Sequence, residues 1–243
     1  MIKIVYIGGN GWLGNYTQET LKEYSVLISS RNSLLNNQFK FSIGQSEIPK
    51  ADLYLFTVPP SKYILKDFYR TIEQINKSSR LIFTSSTSVY SSVYKNCTED
   101  LKLIKDSSVN ETVFESETFI SAMFNDYLIL RLAGLAGENR YPAQFLTGKK
   151  NVSNGRGPVN LVQGEDVAAL IKLSIEKDLK GIYNICCDEH PTRKDFYTKA
   201  CEKAGLPIPQ FIDNLESEKI IDNSKIKNAL NYQFKYPSPY NMI

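Results

Sequence analysis

The sequence predicts an α/β protein: a doubly wound parallel sheet followed by a small C-terminal lobe. Three observations carry this reading. Short apolar runs rich in Ile, Val and Leu alternate with stretches at helical spacing through the first half of the chain. Alternation of that kind builds a parallel sheet covered on both faces. A glycine cluster closes the first apolar run and opens the first helical stretch. Finally, the 243 residues are 42% hydrophobic and 23% charged, enough for a sizeable core and too apolar for wholesale disorder.

Each element has its own justification. Lys3 to Ile7 reads as a short buried strand ending in glycine. Trp12 to Tyr24 reads as a helix, with Leu13, Thr17 and Leu21 on one face. Ser25 to Ile28 is a second strand and Phe39 to Ile43 a weaker third. Asp52 to Val58 is a fourth, stopped by Pro59 and Pro60. Ser61 to Asn76 reads as a helix with Ile64, Leu65, Phe68, Ile72 and Ile75 inward. Arg80 to Ser85 is a fifth strand, Val113 to Phe124 a helix and Tyr127 to Leu132 a sixth strand. Beyond it the pattern is less regular. Asp166 to Lys177 reads as a helix with Val167, Leu170, Ile171 and Ile175 inward, and Ile182 to Cys186 as a strand. Thr192 and Asp195 resemble a capping box opening a helix that ends near Gly205, and a last helix begins at Ser224. The expected organisation is a dinucleotide-binding domain over residues 1–135. Residues 136–243 would add further sheet and helix elements and a small lobe, with too few apolar runs for an independent core.

Several classes are excluded. Lys and Arg number 29 against 26 Asp and Glu, a formal net charge of +3, too small an excess to mark a nucleic-acid partner. No secretory signal pattern opens the chain, and no run approaches the roughly 18 apolar residues of a membrane helix. A cytoplasmic protein is expected, without membrane partners, as a monomer or homodimer. Cys97, Cys186, Cys187 and Cys201 form neither a disulfide framework nor a zinc spacing, and read as reduced, mostly buried thiols. His190 is the sole His. It precedes Pro191 in an expected surface turn, and one His excludes multi-His metal sites.

The strongest chemical signal is Gly8-Gly9-Asn10-Gly11-Trp12-Leu13-Gly14. It follows a strand and opens a helix, the context in which a glycine turn lets backbone N–H groups approach a pyrophosphate. Both Gly9-x-Gly11-x-x-Gly14 and Gly8-x-x-Gly11-x-x-Gly14 fit. About 20 residues on, where an adenine ribose would sit, an NAD site usually carries Asp or Glu. Here the chain reads Ser29-Ser30-Arg31-Asn32. Arg31 can form paired, charge-assisted bonds to a 2′-phosphate, and Ser30 can add another. NADP is therefore the expected cofactor, with NAD as the alternative, and Val58 and Pro59 after the fourth strand complete the expected contacts.

The glycine loop, Phe83-Thr84-Ser85-Ser86-Thr87-Ser88-Val89-Tyr90, Leu130-Arg131-Leu132-Ala133-Gly134 and Asn160-x-x-Gln163-x-x-Asp166-Val167 together resemble an atypical or extended short-chain dehydrogenase/reductase. More narrowly, the chain resembles small bacterial members of the NAD-dependent epimerase/dehydratase superfamily. The resemblance spans nearly the whole chain. It implies a Rossmann-like fold, and it implies that Ser86 hydrogen-bonds a substrate oxygen near the nicotinamide. It also implies that basic residues of the C-terminal lobe, here Arg140 and Arg156, meet the diphosphate where the substrate is a sugar nucleotide. Lys149-Lys150 reads as a solvated turn.

The sequence departs from this family at its proton relay. The family's acid is a Tyr with a Lys one helical turn later, about 5–6 Å away. None of the fifteen Tyr is followed by Lys at i+4. Tyr127 precedes Arg131 by four, but on a strand that spacing spans roughly 13 Å. The region that should carry the pair reads Phe114-Glu115-Ser116-Glu117-Thr118. Substitutes are Tyr90, also readable as a packing Tyr, Tyr94, and Glu115 or Glu117, also readable as solvated helix charges. The functional expectation is an NADP-dependent oxidoreductase or epimerase-like enzyme acting on a small polar carbonyl, alcohol or sugar nucleotide, with Ser86 and Tyr90 as catalytic candidates. The alternative is a dinucleotide-binding redox sensor or partner-binding module without turnover.

Overall fold

The computed structural model describes residues 2–32 and 35–243. In chain order the strands and α-helices are β1 (Lys3–Ile7), α1 (Trp12–Thr20), β2 (Ser25–Ser30), β3 (Gln38–Lys40), β4 (Leu53–Phe56), α2 (Leu65–Ile72), β5 (Arg80–Ser86), β6 (Asn96–Cys97), α3 (Glu111–Met123) and β7 (Tyr127–Leu132). They continue as β8 (Gly134–Ala136), α4 (Ala143–Leu146), β9 (Leu161–Gln163), α5 (Gly164–Glu176), β10 (Gly181–Ile185), α6 (Arg193–Ala204), β11 (Ile220–Ile221) and α7 (Ser224–Leu230). The chain forms two compact units. One comprises Met1–Val89, Asn110–Arg131 and Ala168–Tyr183, the other Tyr90–Val109, Leu132–Val167 and Asn184–Ile243.

The first unit is organised by a seven-stranded sheet in the order β10-β7-β5-β4-β1-β2-β3. β1 pairs in parallel with β2 and with β4, and β2–β3 and β4–β5 are parallel as well. This is the α/β, Rossmann-like doubly wound parallel sheet that the sequence predicts. Val5, Ile7, Tyr54, Phe56, Leu81 and Phe83 pack against Phe68 and Ile72 of α2 and Ile120 of α3. β1 and β4 are buried nearly throughout, which is why they read as continuous apolar runs rather than alternating ones.

The helix after β4 is shorter than the periodicity predicts. Pro60–Lys62 is a separate 3-10 turn, and Ile64 caps α2 in an extended conformation with its side chain exposed. Prolines at 59 and 60 hold φ near −65° and cannot donate to a preceding turn, so the chain enters the helix only at Leu65. α1 likewise closes at Thr20, with Leu21 as its C-cap, rather than reaching Tyr24.

The second unit contains two two-stranded sheets, β6–β11 and β8–β9, both parallel. Residues 136–243 are expected to have too few apolar runs for an independent core, yet this unit has a buried cluster of its own. Ala136, Val159, Leu161, Cys187, Phe196, Tyr197 and Met242 cluster there, with Phe145, Phe211 and Tyr240 against them. The expected helix starts hold. Thr192 accepts from Asp195 N, and Gly205 ends α6 in the left-handed region at φ 64°. Among the described residues no helix is long and apolar enough to cross a membrane. All four Cys are buried and unbridged.

Candidate functional site

The sheet order reverses between β1 and β4, so the chain leaves these two adjacent strands toward opposite ends of the sheet. In open α/β sheets the crevice beyond the carboxyl ends of the strands at such a switch point is where ligands bind. The glycine loop occupies that position, and its glycines divide by role. Gly8 sits at φ +96°, and a Cβ there would lie 2.9 Å from Thr57 Oγ1 and 3.0 Å from Val58 N. Gly8 thereby lets the segment after β4 pack on the loop, bringing Val58, half-buried, and Pro59, exposed, beside it. A Cβ on Gly9 would strike Ile28 Cγ2 at 2.8 Å. One on Gly14 would come within 1.6 Å of Gly9 O, so α1 can cross the loop this closely only with glycine there.

Gly11 differs. It is exposed, and a Cβ there would meet only Gly8 O, at 3.1 Å. Gly8, Gly9 and Gly14 are each crowded by three of the protein's own atoms, whereas Gly11 is crowded by one backbone oxygen. Gly11 is also the N-cap of α1, gives no side-chain cap, and is followed by no acidic residue in the first turn. The partial positive charge of the helix start is thus not offset by a carboxylate of that turn. These residues fit a bound pyrophosphate. Leu13 is buried beneath the helix, and Trp12 packs edge-on against Tyr16 with ring centroids 4.9 Å apart.

The loop is tied to the end of β2. Ser29 Oγ accepts from Gly8 N at 3.0 Å, Asn10 Nδ2 donates to Ser29 O at 3.2 Å, and Gln38 Nε2 donates to Asn10 Oδ1 at 3.4 Å. Ser30 follows, buried, and Arg31 stands exposed just beyond it. The Tyr6 hydroxyl lies 2.5 Å from Thr17 Oγ1 and 3.4 Å from Thr57 Oγ1, joining β1, α1 and the segment after β4. Burial pushes its pKa up, so Tyr6 stays protonated and serves the fold.

Ser86 ends β5, half-buried. Its Oγ accepts from Ser88 N at 3.1 Å and from Ser88 Oγ at 3.0 Å. A hydroxyl has two acceptor sites and one proton, so these bonds leave the Ser86 proton available to donate. Tyr90 is placed otherwise. It is fully buried, and its hydroxyl lies 2.9 Å from Asn184 Oδ1 and 3.1 Å from Thr98 O. Asn184 Nδ2 donates to Cys97 O and Asp222 O, which orients the amide so that Oδ1 faces the Tyr. The Tyr90 proton is therefore committed to these oxygens. The expectation of Tyr90 as a substrate acid is corrected: the residue packs. Tyr94 donates to Lys102 O at 2.6 Å.

The reading of Glu117 as a solvated charge is also corrected. Glu117 is 4% exposed. Its Oε2 lies 2.7 Å from Arg131 Nη2 and its Oε1 accepts from Ser85 Oγ at 2.5 Å. Two signals mark this pair. Glu117 falls four residues after Val113 and three before Ile120, on the inner stripe of α3. Arg131 interrupts a buried apolar strand, where an unpaired charge is too costly to persist. Glu115 is half-buried on the same helix.

In the second unit Arg156 lines a cavity of about 390 Å³ together with Lys95 and His190. Both cations there are already paired, Arg156 with Asp213 at 3.6 Å and Lys95 with Glu218 at 2.6 Å. His190 is half-buried, its Nδ1 3.2 Å from Val159 O, rather than in an open surface turn. Arg140 Nε donates to Leu135 O at 2.9 Å and its guanidinium lies over Phe145. Lys149 and Lys150 are exposed.

No family model matches the chain. It is similar to Protein YeeZ of Escherichia coli, strains K12 and O157:H7, at 40% identity over 164 residues. That stretch is 66% of this chain and spans 60% of the length of those relatives. Among solved structures, the chain resembles MoeE5 in complex with UDP-glucose and NAD at a TM-score of 0.82 and 16% identity, covering 99% of this chain and 96% of that one. It resembles UDP-N-acetylglucosamine 4-epimerase from Bacillus cereus at 0.74 and 18%, covering 100% and 96%. It also resembles the human epimerase family protein SDR39U1 with NADPH at 0.72 and 13%, covering 99% and 97%. The chain has the fold shared by NAD-dependent epimerase/dehydratase and short-chain dehydrogenase/reductase proteins.

Proposed function

We propose that the chain binds a nicotinamide dinucleotide at the glycine loop, prefers NADP, and reduces the carbonyl of a small polar substrate, with sugar nucleotides among the candidates. The observation that carries this is Gly11: of the loop's four glycines it is the exposed one whose added Cβ would meet a single neighbour, Gly8 O at 3.1 Å. Solved structures of the same fold hold NAD or NADPH, and one holds UDP-glucose. The amides at the start of α1 would hold the pyrophosphate, with Asn10, Trp12, Leu13 and Gly14 shaping that turn. Arg31 and Ser30 would take the 2′-phosphate, and Val58 and Pro59 would flank the dinucleotide. When bound, the nicotinamide supplies hydride. Ser86 would donate a hydrogen bond to the substrate oxygen and stabilise the negative charge that develops there, and water would supply the proton that turns the alkoxide into the alcohol. The same reading puts the protein in the cytoplasm as a monomer or homodimer.

A second reading is favoured by two observations. No Tyr of the sequence is followed by Lys one helical turn later, and Tyr90 is buried. That leaves no placed base to take a proton from an alcohol, so epimerase or dehydratase cycles are disfavoured. The chain would then be a dinucleotide-binding redox sensor or partner-binding module. A panel of aldehydes, ketones and sugar nucleotides, followed by NADPH absorbance in both directions, separates the two. The first reading predicts slow reduction without alcohol oxidation at neutral pH, lowered by about 10²-fold in Ser86→Ala with cofactor affinity unchanged. A cofactor-saturated but inert protein would establish the second.

A further inference from the structure

Asn stands before Gly at two places in the chain, Asn10-Gly11 in the glycine loop and Asn154-Gly155 in the second unit. Glycine leaves its main-chain nitrogen unshielded toward a preceding Asn side chain, because it has no Cβ and turns freely. That nitrogen can displace ammonia from the Asn amide wherever the chain can bend to the attack, one source of the thermal lability of Asn. The structure treats the two pairs differently. Asn154 is half-buried and Gly155 is buried. Asn154 Oδ1 accepts from Glu216 N at 2.9 Å and from Ser217 N at 3.2 Å, and Asn154 N donates to Asn214 Oδ1 at 2.7 Å. A Cβ on Gly155 would lie 2.9 Å from Ile212 O. Asn10 and Gly11, by contrast, are both exposed. The Asn10 side chain is held by two long bonds, to Ser29 O at 3.2 Å and from Gln38 Nε2 at 3.4 Å. Gly11 N donates to Gly8 O at 2.9 Å, so this turn has to open before the nitrogen can attack. Long bonds in an exposed loop, where water competes for both partners, are the first to open.

We propose that Asn10 is a site of spontaneous deamidation and that its conversion closes the glycine loop to dinucleotides; the second half rests on the cofactor reading above, the first does not. The Gly11 amide nitrogen, having lost its proton to hydroxide, attacks Asn10 Cγ. The N–Cγ bond forms, the Cγ–Nδ2 bond breaks, and Nδ2 leaves as ammonia with a proton from water. Water then opens the succinimide at either carbonyl, giving aspartate or isoaspartate, and nothing is oxidised or reduced. Either product puts a carboxylate one residue before Gly11, the N-cap of α1, whose first turn carries no acidic residue. The new charge takes up the partial positive charge of the helix start and repels a pyrophosphate from it. Isoaspartate also lengthens the main chain within the turn that Gly11 N and Gly8 O close. A bound dinucleotide would hold that turn shut and slow the conversion.

The test is to incubate the full chain at mildly alkaline pH, with and without NADPH, and to follow Asn10 and Asn154 by peptide mass spectrometry. Asn10 should convert about tenfold faster than Asn154 or more. NADPH should slow conversion at Asn10 and leave Asn154 as it was. Gly11→Ala, whose methyl group shields the attacking nitrogen, should slow Asn10 by about tenfold. Circular dichroism checks that this variant is folded, and if it is not, the contrast between Asn10 and Asn154 in the wild type carries the same test. In calorimetric titration the aged chain and Asn10→Asp should each bind NADPH about tenfold more weakly than the fresh chain, or worse. If the fresh chain binds no NADPH, the cofactor reading falls and the second half of the proposal with it, while the mass measurement still decides the first. An intact Asn10, equal rates at Asn10 and Asn154, an unchanged rate in folded Gly11→Ala, or an aged chain that binds NADPH like the fresh one would overturn the proposal.

Discussion

At the residue scale, the four glycines of the loop make opposite predictions. Gly14→Ala puts a methyl group into the Gly9 carbonyl, 1.6 Å away, and neither backbone can yield without separating α1 from β1. Such overpacking should cost about 3 kcal/mol or more, read from urea unfolding midpoints. Gly11→Ala meets only one oxygen, at 3.1 Å, and replaces a tolerated N-cap residue, so a loss of about 1 kcal/mol is expected. Arg31→Ala should weaken NADPH by roughly 1.5–3 kcal/mol, the scale of a hydrogen bond to a charged group, and leave NADH nearly unchanged. Equal losses for both would mean that Arg31 does not read a phosphate. His190 gives a pH prediction. Burial holds its imidazole below the ordinary value, partly offset by the Val159 carbonyl and by Asp188 and Asp222. The unfolded chain therefore takes up this proton first, at about pH 6.5, while the folded chain resists it. Stability is present above that pH and is lost as the pH falls through the depressed folded value. His190→Gln should flatten that part of the Tm profile, and an unchanged slope would place the acid sensitivity elsewhere.

At the element scale, the buried Glu117–Arg131 pair joins α3 to β7, and Ser85 joins it to β5. Removing one partner leaves an uncompensated buried charge. Arg131→Met or Glu117→Gln should cost about 3–5 kcal/mol, and the double change Glu117→Leu with Arg131→Met should recover most of it, as equilibrium unfolding would show. Additive losses in the double variant would mean that the pair acts through separate contacts. This network also shows where sequence reasoning stops. α3 is legible from its inner stripe, but the same stripe includes Glu117, whose charge marks it as solvated while its position buries it. β7 was legible to both ends because Tyr127–Leu132 is a continuous apolar run broken only by Arg131. β6, β8, β9 and β11 were not, since strands of two or three residues give periodicity nothing to repeat. Asp166 is a further case. It is buried, and it accepts from Tyr232, Lys235 N and Tyr236 N, holding the chain after α7 by contacts with no local signature.

At the scale of the whole molecule, the alternation of strand and helix was enough to predict the fold class, because a parallel sheet needs crossovers and crossovers need helices. It could not give the strand order, which sequence-distant pairings decide. That order gives the glycine loop its meaning, since the reversal between β1 and β4 coincides with the exposed, least crowded glycine of the loop. The core of the second unit is not legible in the sequence, because it is assembled from single residues on several short elements rather than from runs. The central claim is that the loop around the exposed Gly11 is a cofactor seat. The most direct test is to titrate NADPH into the wild-type chain and Gly11→Val side by side, with both shown to be folded. The account predicts saturable binding to the wild type, at one dinucleotide per chain, and its loss in the variant. Equal affinity in the two proteins, or no binding to the wild type, would contradict it.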